Sequence, residues 1–128
     1  MRNLLAGRRV LVVEDEMMVL MNIEGALAEL GCAAVSVAAT VDDALALIEA
    51  EGFDVAMLDV NLSGEPSYRV ADALVQRSIP FVFSTGYGEQ GIEARFHGQA
   101  VLRKPYSDEQ LADALIRLLP DQAIPASA

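Results

Sequence analysis

Val55-Ala56-Met57-Leu58-Asp59 is four apolar residues closed by one carboxylate, and it runs straight into Val60-Asn61-Leu62-Ser63-Gly64. A short apolar run set between Asp54 and a turn rich in Gly, Pro and Ser is the pattern of a strand buried on both faces. Asp59 then stands at the carboxyl end of that strand, the edge at which open parallel α/β sheets bind their ligands. The rest of the chain reads as apparatus around this residue.

Upstream, Val10-Leu11-Val12-Val13 is a second β-branched run and stops at Glu14-Asp15-Glu16. Met17 to Leu30 follows with Leu20, Ile23, Leu27 and Leu30 at helical spacing, Gly31 as its stop, and the preceding acids complementing the helix dipole. Ala34 to Val37 is a third short strand. Thr40, with Asp43 three residues on, caps a helix whose stripe is Ala44, Leu47 and Ile48 and which ends at Gly52. Beyond Asp59, a loop from Val60 to Pro66 leads into a helix from Tyr68 to Gln76, with Val70, Ala71, Leu74 and Val75 inward.

Pro80 opens the strand Phe81-Val82-Phe83-Ser84, which delivers Thr85 and Gly86, and Ala100 to Arg103 is a last strand ending at Lys104-Pro105. Ser107 caps a final helix with Asp108 and Glu109 in its first turn and Leu111, Leu115, Leu118 and Leu119 as its stripe. Between Tyr87 and Gln99 the glycines 88, 91 and 98 and the weak periodicity predict a loop with at most one short helical turn. Strands alternating with helices predict a doubly wound α/β fold with a five-stranded parallel sheet in the order 2-1-3-4-5.

The chain has 128 residues, 53% apolar and 22% charged, which suits one globular domain with a core from about residue 8 to 120 and a frayed tail. No linker to a second domain and no internal repeat is visible. A net charge of −10 repels nucleic acid and anionic lipid, so neither is an expected partner, whereas metal cations and basic protein faces are favoured. The apolar segment Leu4-Leu5-Ala6 is too short for a signal core and no run reaches a membrane span, and Cys32 is a lone apolar filler. The expected setting is the cytoplasm.

Four strand ends therefore carry Glu14-Asp15, Asp59, Ser84-Thr85-Gly86 and Lys104 toward one cleft. Three carboxylates held together repel one another, and a hard divalent cation, Mg²⁺ with Mn²⁺ as a substitute, is the usual remedy. A hydroxyl and an ammonium beside that ion suit the oxygens of a phosphoryl group. The chemistry indicated is phosphoryl transfer to a carboxylate.

These residues, in this order over nearly the whole chain, resemble the receiver domain of two-component response regulators, a flavodoxin-like fold. The resemblance implies that Asp59 is the phosphoacceptor and that Glu14 and Asp15 serve the metal with Asp59 and the backbone carbonyl of Asn61. It further implies that Thr85, with Ser84 and Gly86 beside it, and Lys104 hold the phosphoryl group, that Lys104-Pro105 is cis, and that the donor is a histidine kinase or phosphotransfer protein. Pro80-Phe81-Val82-Phe83-Ser84-Thr85-Gly86-Tyr87 looks like the signature of the FAT GUY receivers, single-domain regulators found beside kinases of the HWE type. Val101 stands where most receivers carry a switch aromatic, so the response is expected between Tyr87 and Gln99 instead.

Met17, Met18 and Met21 crowd the first helix and read either as core or as an adaptable kinase-docking face. Tyr87 and Tyr106 flank the cleft as candidate shielding or switch residues, and His97 reads as a solvated loop residue. The expected protein is a stand-alone receiver, not an enzyme beyond its own phosphorylation and dephosphorylation, acting on a downstream protein or as a phosphate sink. A monomer is expected, with dimerisation on phosphorylation left open. Two other readings stand beside it: a Mg²⁺-dependent phosphohydrolase of small molecules, which Asn61 disfavours because a second carboxylate is wanted there, and an interaction module that never takes phosphate.

Overall fold

The computed structural model describes residues 5–86 and 92–119. The chain runs β1 (Arg9–Val13), α1 (Met17–Glu29), β2 (Ala34–Ala38), α2 (Val41–Ala50), β3 (Val55–Asp59), β4 (Asn61–Leu62), β5 (Glu65–Pro66), α3 (Tyr68–Gln76), β6 (Phe81–Thr85), a 3₁₀ turn at Ala94–Phe96, β7 (Ala100–Arg103) and α4 (Asp108–Ile116). All pairings in the main sheet are parallel and its order is β2-β1-β3-β6-β7, the expected 2-1-3-4-5 once the small β4-β5 hairpin is set aside. β3 lies at the centre with every residue buried, as its unbroken apolar run requires.

Alternation along the strands divides the core into two layers. Leu11, Val13, Ala56, Leu58, Phe81 and Phe83 face α2 and α3, whereas Val10, Val12, Val55, Met57 and Val82 face α1 and α4. Leu5, which the sequence pattern did not single out, is fully buried in the second layer and ties its N–H to the Leu30 carbonyl at 3.0 Å. The aromatic side chains concentrate in the first layer, where Phe83 meets Phe81, Tyr68 and Phe96 edge to face and Tyr68 stacks on Phe96.

The helix ends follow local chemistry. Thr40 accepts the Asp43 N–H at 3.1 Å, and Gly31 takes the positive φ of 86° that ends α1. Ser107 forms a full capping box with Gln110, the returning half of which the sequence reading did not name. The acids expected to precede α1 do so, with the Glu16 N–H donating to Glu14 Oε2 at 3.1 Å, although the Glu16 side chain makes no capping bond. Three details differ from expectation. Val75 is 55% exposed, since at 100° per residue it lies roughly 90° from the centre of the stripe formed by Val70, Ala71 and Leu74. The stretch from 60 to 66 is a hairpin, not a plain loop. His97 is exposed as expected, but its Nε2 lies 2.8 Å from the Ile92 carbonyl.

Between β6 and β7 the described residues hold only the single 3₁₀ turn, in keeping with the weak periodicity there. Tyr87 lies outside the described residues. Among the described residues no helix is long and apolar enough to cross a membrane.

Candidate functional site

Register places the polar residues before any side-chain contact is considered. Val13 pairs with Leu58 and Asp59 pairs with Ser84, so Glu14, Asp59 and Ser84 form a row across three adjacent strands, all on the face toward α1 and α4. Glu14 is 2% exposed, Asp59 8%, Ser84 1% and Thr85 4%. Buried charge of this kind demands a partner. Lys104 supplies it: its N–H bonds the Thr85 carbonyl at 2.9 Å, and its Nζ lies 3.2 Å from Asp59 Oδ2 and 3.3 Å from Glu14 Oε1. The Lys104-Pro105 peptide is cis, as the resemblance implied.

One ammonium between two carboxylates leaves an unresolved tension. Burial, reinforced by the Asp59 charge, pushes the Glu14 carboxyl up to about 7, even though the Glu16 N–H and Lys104 pull it down. Burial works against the charged form of Lys104, but the attraction of Asp59 and Glu14 outweighs it and raises the ammonium above its ordinary value.

Asp15, half-buried at the rim, takes its partners from the turn of the hairpin: the N–H and the Oγ of Ser63 both donate to Asp15 Oδ2 at 2.8 Å. The Asn61 N–H reaches Asp59 Oδ1 at 3.4 Å, and the Ser67 hydroxyl donates to the Asp59 and Val60 carbonyls, fixing the strand end. Neither serine was foreseen as part of the site, although a Ser before a Gly in a tight turn and a Ser opening a helix are the signals that could have found them.

A cleft of about 510 Å³ opens at the carboxyl ends of the strands, lined by Asp15, Asp59, Asn61, Thr85, Gly86 and Lys104 among others. These predicted residues do converge. Ser84 does not line the cleft; its buried Oγ faces the Tyr106 hydroxyl in the α1 and α4 layer. Neither hydroxyl makes a hydrogen bond of ordinary geometry among the described residues, and burial raises the Tyr106 phenol above its usual value despite Ser84. Tyr106 packs in the α1 and α4 layer and lines a separate cavity of about 400 Å³ with Val19, Ile23 and Leu111. Met17, Met18 and Met21 are 65%, 77% and 60% exposed, so core packing is not their role.

The donor set suits a hard divalent cation. Glu14, Asp15 and Asp59 each present one carboxylate oxygen within 4.8 Å of the others. Fully ionised, the three carboxylates and Lys104 sum to −2, the charge that Mg²⁺ cancels. Asn61 is registered opposite Pro66, which has no N–H to donate to the Asn61 carbonyl. Oxygen ligands without imidazole or thiolate favour magnesium over zinc.

An α/β sheet of this order, with an acidic cluster, a hydroxyl and an ammonium at its carboxyl edge, defines a class of phosphoacceptor domains. Residues 10–116 match the model of the response regulator receiver domain family, and the chain belongs to that family. It is similar to SdrG from Sphingomonas melonis Fr1, solved in solution, at 42% identity over 84% of this chain and 92% of that one, with a TM-score of 0.74. The BeF₃-activated conformation of SdrG from Pseudomonas melonis Fr1 matches at 44% identity over 85% and 93% of the two chains, with a TM-score of 0.73. The receiver domain of a Pseudomonas aeruginosa PAO1 sensor histidine kinase, crystallised with magnesium in its active-site cleft, matches at 25% identity over 88% and 98%, with a TM-score of 0.76. No curated protein sequence matches the chain significantly. Receiver domains are signalling modules that take phosphate from a kinase or phosphotransfer protein and bind Mg²⁺ at an acidic pocket, and this chain carries the acidic cluster.

Proposed function

We propose that this chain is a stand-alone response regulator whose Asp59 accepts a phosphoryl group from the histidine of a kinase or phosphotransfer protein. The observation that carries the reading is the bridge from Lys104 to Asp59 Oδ2 and Glu14 Oε1, with Lys104 and Asp59 lining a cleft that also holds Asp15, Asn61 and Thr85. In the transfer, an Asp59 oxygen forms the new P–O bond as the N–P bond of the donor breaks, and the departing imidazole keeps its electron pair and takes up a proton.

Mg²⁺ bound by Glu14, Asp15, Asp59 and the Asn61 carbonyl would supply positive charge to the phosphoryl oxygens. Lys104, already 3.2 Å from Asp59 Oδ2, exchanges part of that contact for a phosphoryl oxygen. The Thr85 hydroxyl, at the end of the neighbouring strand, donates to another. The β3 end is held by Ser67, so Asp59 is aimed before the donor arrives.

The run from Pro80 to Tyr87 supports membership of the FAT GUY group, and similarity to 92% of the SdrG chain supports a receiver that acts without an attached output domain. Such a protein signals through a protein partner or drains phosphate from a shared kinase. Met17, Met18 and Met21, exposed on α1, offer a polarisable apolar face for the kinase, of the HWE type in this reading. The test is beryllofluoride addition followed by amide NMR with and without Mg²⁺: shifts at Asp59, Thr85 and Lys104 that need Mg²⁺ are expected. A spectrum unchanged by both reagents in folded protein would leave only an interaction module.

A further inference from the structure

Asp15 is the one member of the acidic cluster that Lys104 does not touch among its ion pairs, and it is nevertheless held by two donors on a single oxygen. The N–H and Oγ of Ser63 both sit 2.8 Å from Oδ2, which occupies both lone pairs of that atom and leaves Oδ1 without a hydrogen-bond partner among the described residues. Ser63 reaches this position only because its φ is 53°, the left-handed region that a non-glycine residue seldom adopts, and Gly64 beside it takes φ 90°. The hairpin turn is secured from within by the Gly64 N–H on Asn61 Oδ1 at 2.8 Å, and Asn61 in turn donates to Asp59 Oδ1. The same short hairpin thus touches two carboxylates of the cluster with neutral donors, which orient a carboxylate without cancelling its charge.

We propose that Ser63 is a positioning residue for divalent metal: it fixes the Asp15 carboxylate so that Oδ1 faces the ion, and thereby couples the β4-β5 hairpin to metal binding. This rests on the reading of the cleft as a Mg²⁺ site. Groups that orient a ligand from behind typically change metal affinity by about 10- to 100-fold when removed.

The test is a Mg²⁺ titration of the unphosphorylated full chain, wild type against Ser63→Ala and Ser63→Gly, read by amide NMR shifts and by calorimetry, with thermal melts to establish that each variant folds. Ser63→Gly removes the hydroxyl while relieving the positive φ, so hairpin strain and ligand orientation separate. A dissociation constant raised about 10-fold in both variants is expected, with the Ser63 and Gly64 amides of wild type shifting in step with Asp15. Affinity unchanged or tightened in both, or weakened in Ser63→Ala alone, would overturn the proposal and leave the receiver reading standing. Absence of Mg²⁺ binding by wild type at millimolar concentration would overturn the metal-site reading itself.

Discussion

Replacing Glu14 with glutamine separates the cost of the acidic cluster from its use. Glu14 is 2% exposed and its carboxyl is pushed up to about 7 from an ordinary 4.5, first by burial and then by Asp59. Because the folded value is the higher, the folded protein binds more protons than the unfolded chain between pH 4.5 and 7. The favourable contribution of protonated Glu14 is therefore complete below about 4.5 and lost as pH rises through about 7. At about 1.4 kcal/mol per tenfold, ionised Glu14 costs about 3 kcal/mol at pH 8. Glu14→Gln, which mimics the protonated acid, should stabilise the metal-free protein by about 3 kcal/mol at pH 8 and by nearly nothing at pH 4.5, measured by urea unfolding in EDTA. In excess Mg²⁺ the order should reverse, since wild type gains binding energy that the variant loses. A variant less stable than wild type at pH 8 without metal would refute the reasoning, because it would mean that the Lys104 and Glu16 contacts outweigh burial.

Proton release accompanies the same chemistry: Mg²⁺ should bind more tightly as pH rises from 6 to 8 and expel protons from Glu14, detectable by calorimetry in buffers of different ionisation enthalpy, and a pH-independent affinity would contradict the burial of that carboxyl. Tyr106→Phe deletes a buried hydroxyl that has no hydrogen bond among the described residues, so stability should stay level or rise by up to about 1 kcal/mol, and a loss above that in chemical unfolding would reveal a partner for the hydroxyl. Ser107→Ala removes the Oγ that accepts the Gln110 N–H at 3.1 Å and should cost about 1 kcal/mol, whereas an unchanged unfolding midpoint would mean that α4 is held by its packing alone.

The sheet was legible because its strands are short apolar runs punctuated by Gly, Pro and acids, and the rule that such strands cross over right-handed admits few orders. The cleft was legible for the same reason: every strand end that reaches it stops at a charged or hydroxylated residue. What escaped depends on tertiary detail. Ser84 was grouped with Thr85 by adjacency in sequence, but its Oγ is buried away from the cleft and makes no hydrogen bond among the described residues. The Asp15 clasp needs a positive φ at Ser63, which the pair Ser63-Gly64 permits but does not demand. The methionines could be core or surface by composition, and only the packing of α1 through Leu20, Ile23 and Leu27 turned them outward.

The central claim is that Asp59 takes the phosphoryl group. Intact-protein mass after incubation with acetyl phosphate, with and without Mg²⁺, compared between wild type and Asp59→Asn, tests it most directly. The account predicts a single phosphoryl adduct that requires Mg²⁺ and is missing from the variant. An adduct that survives in folded Asp59→Asn, or none in folded wild type, would contradict it.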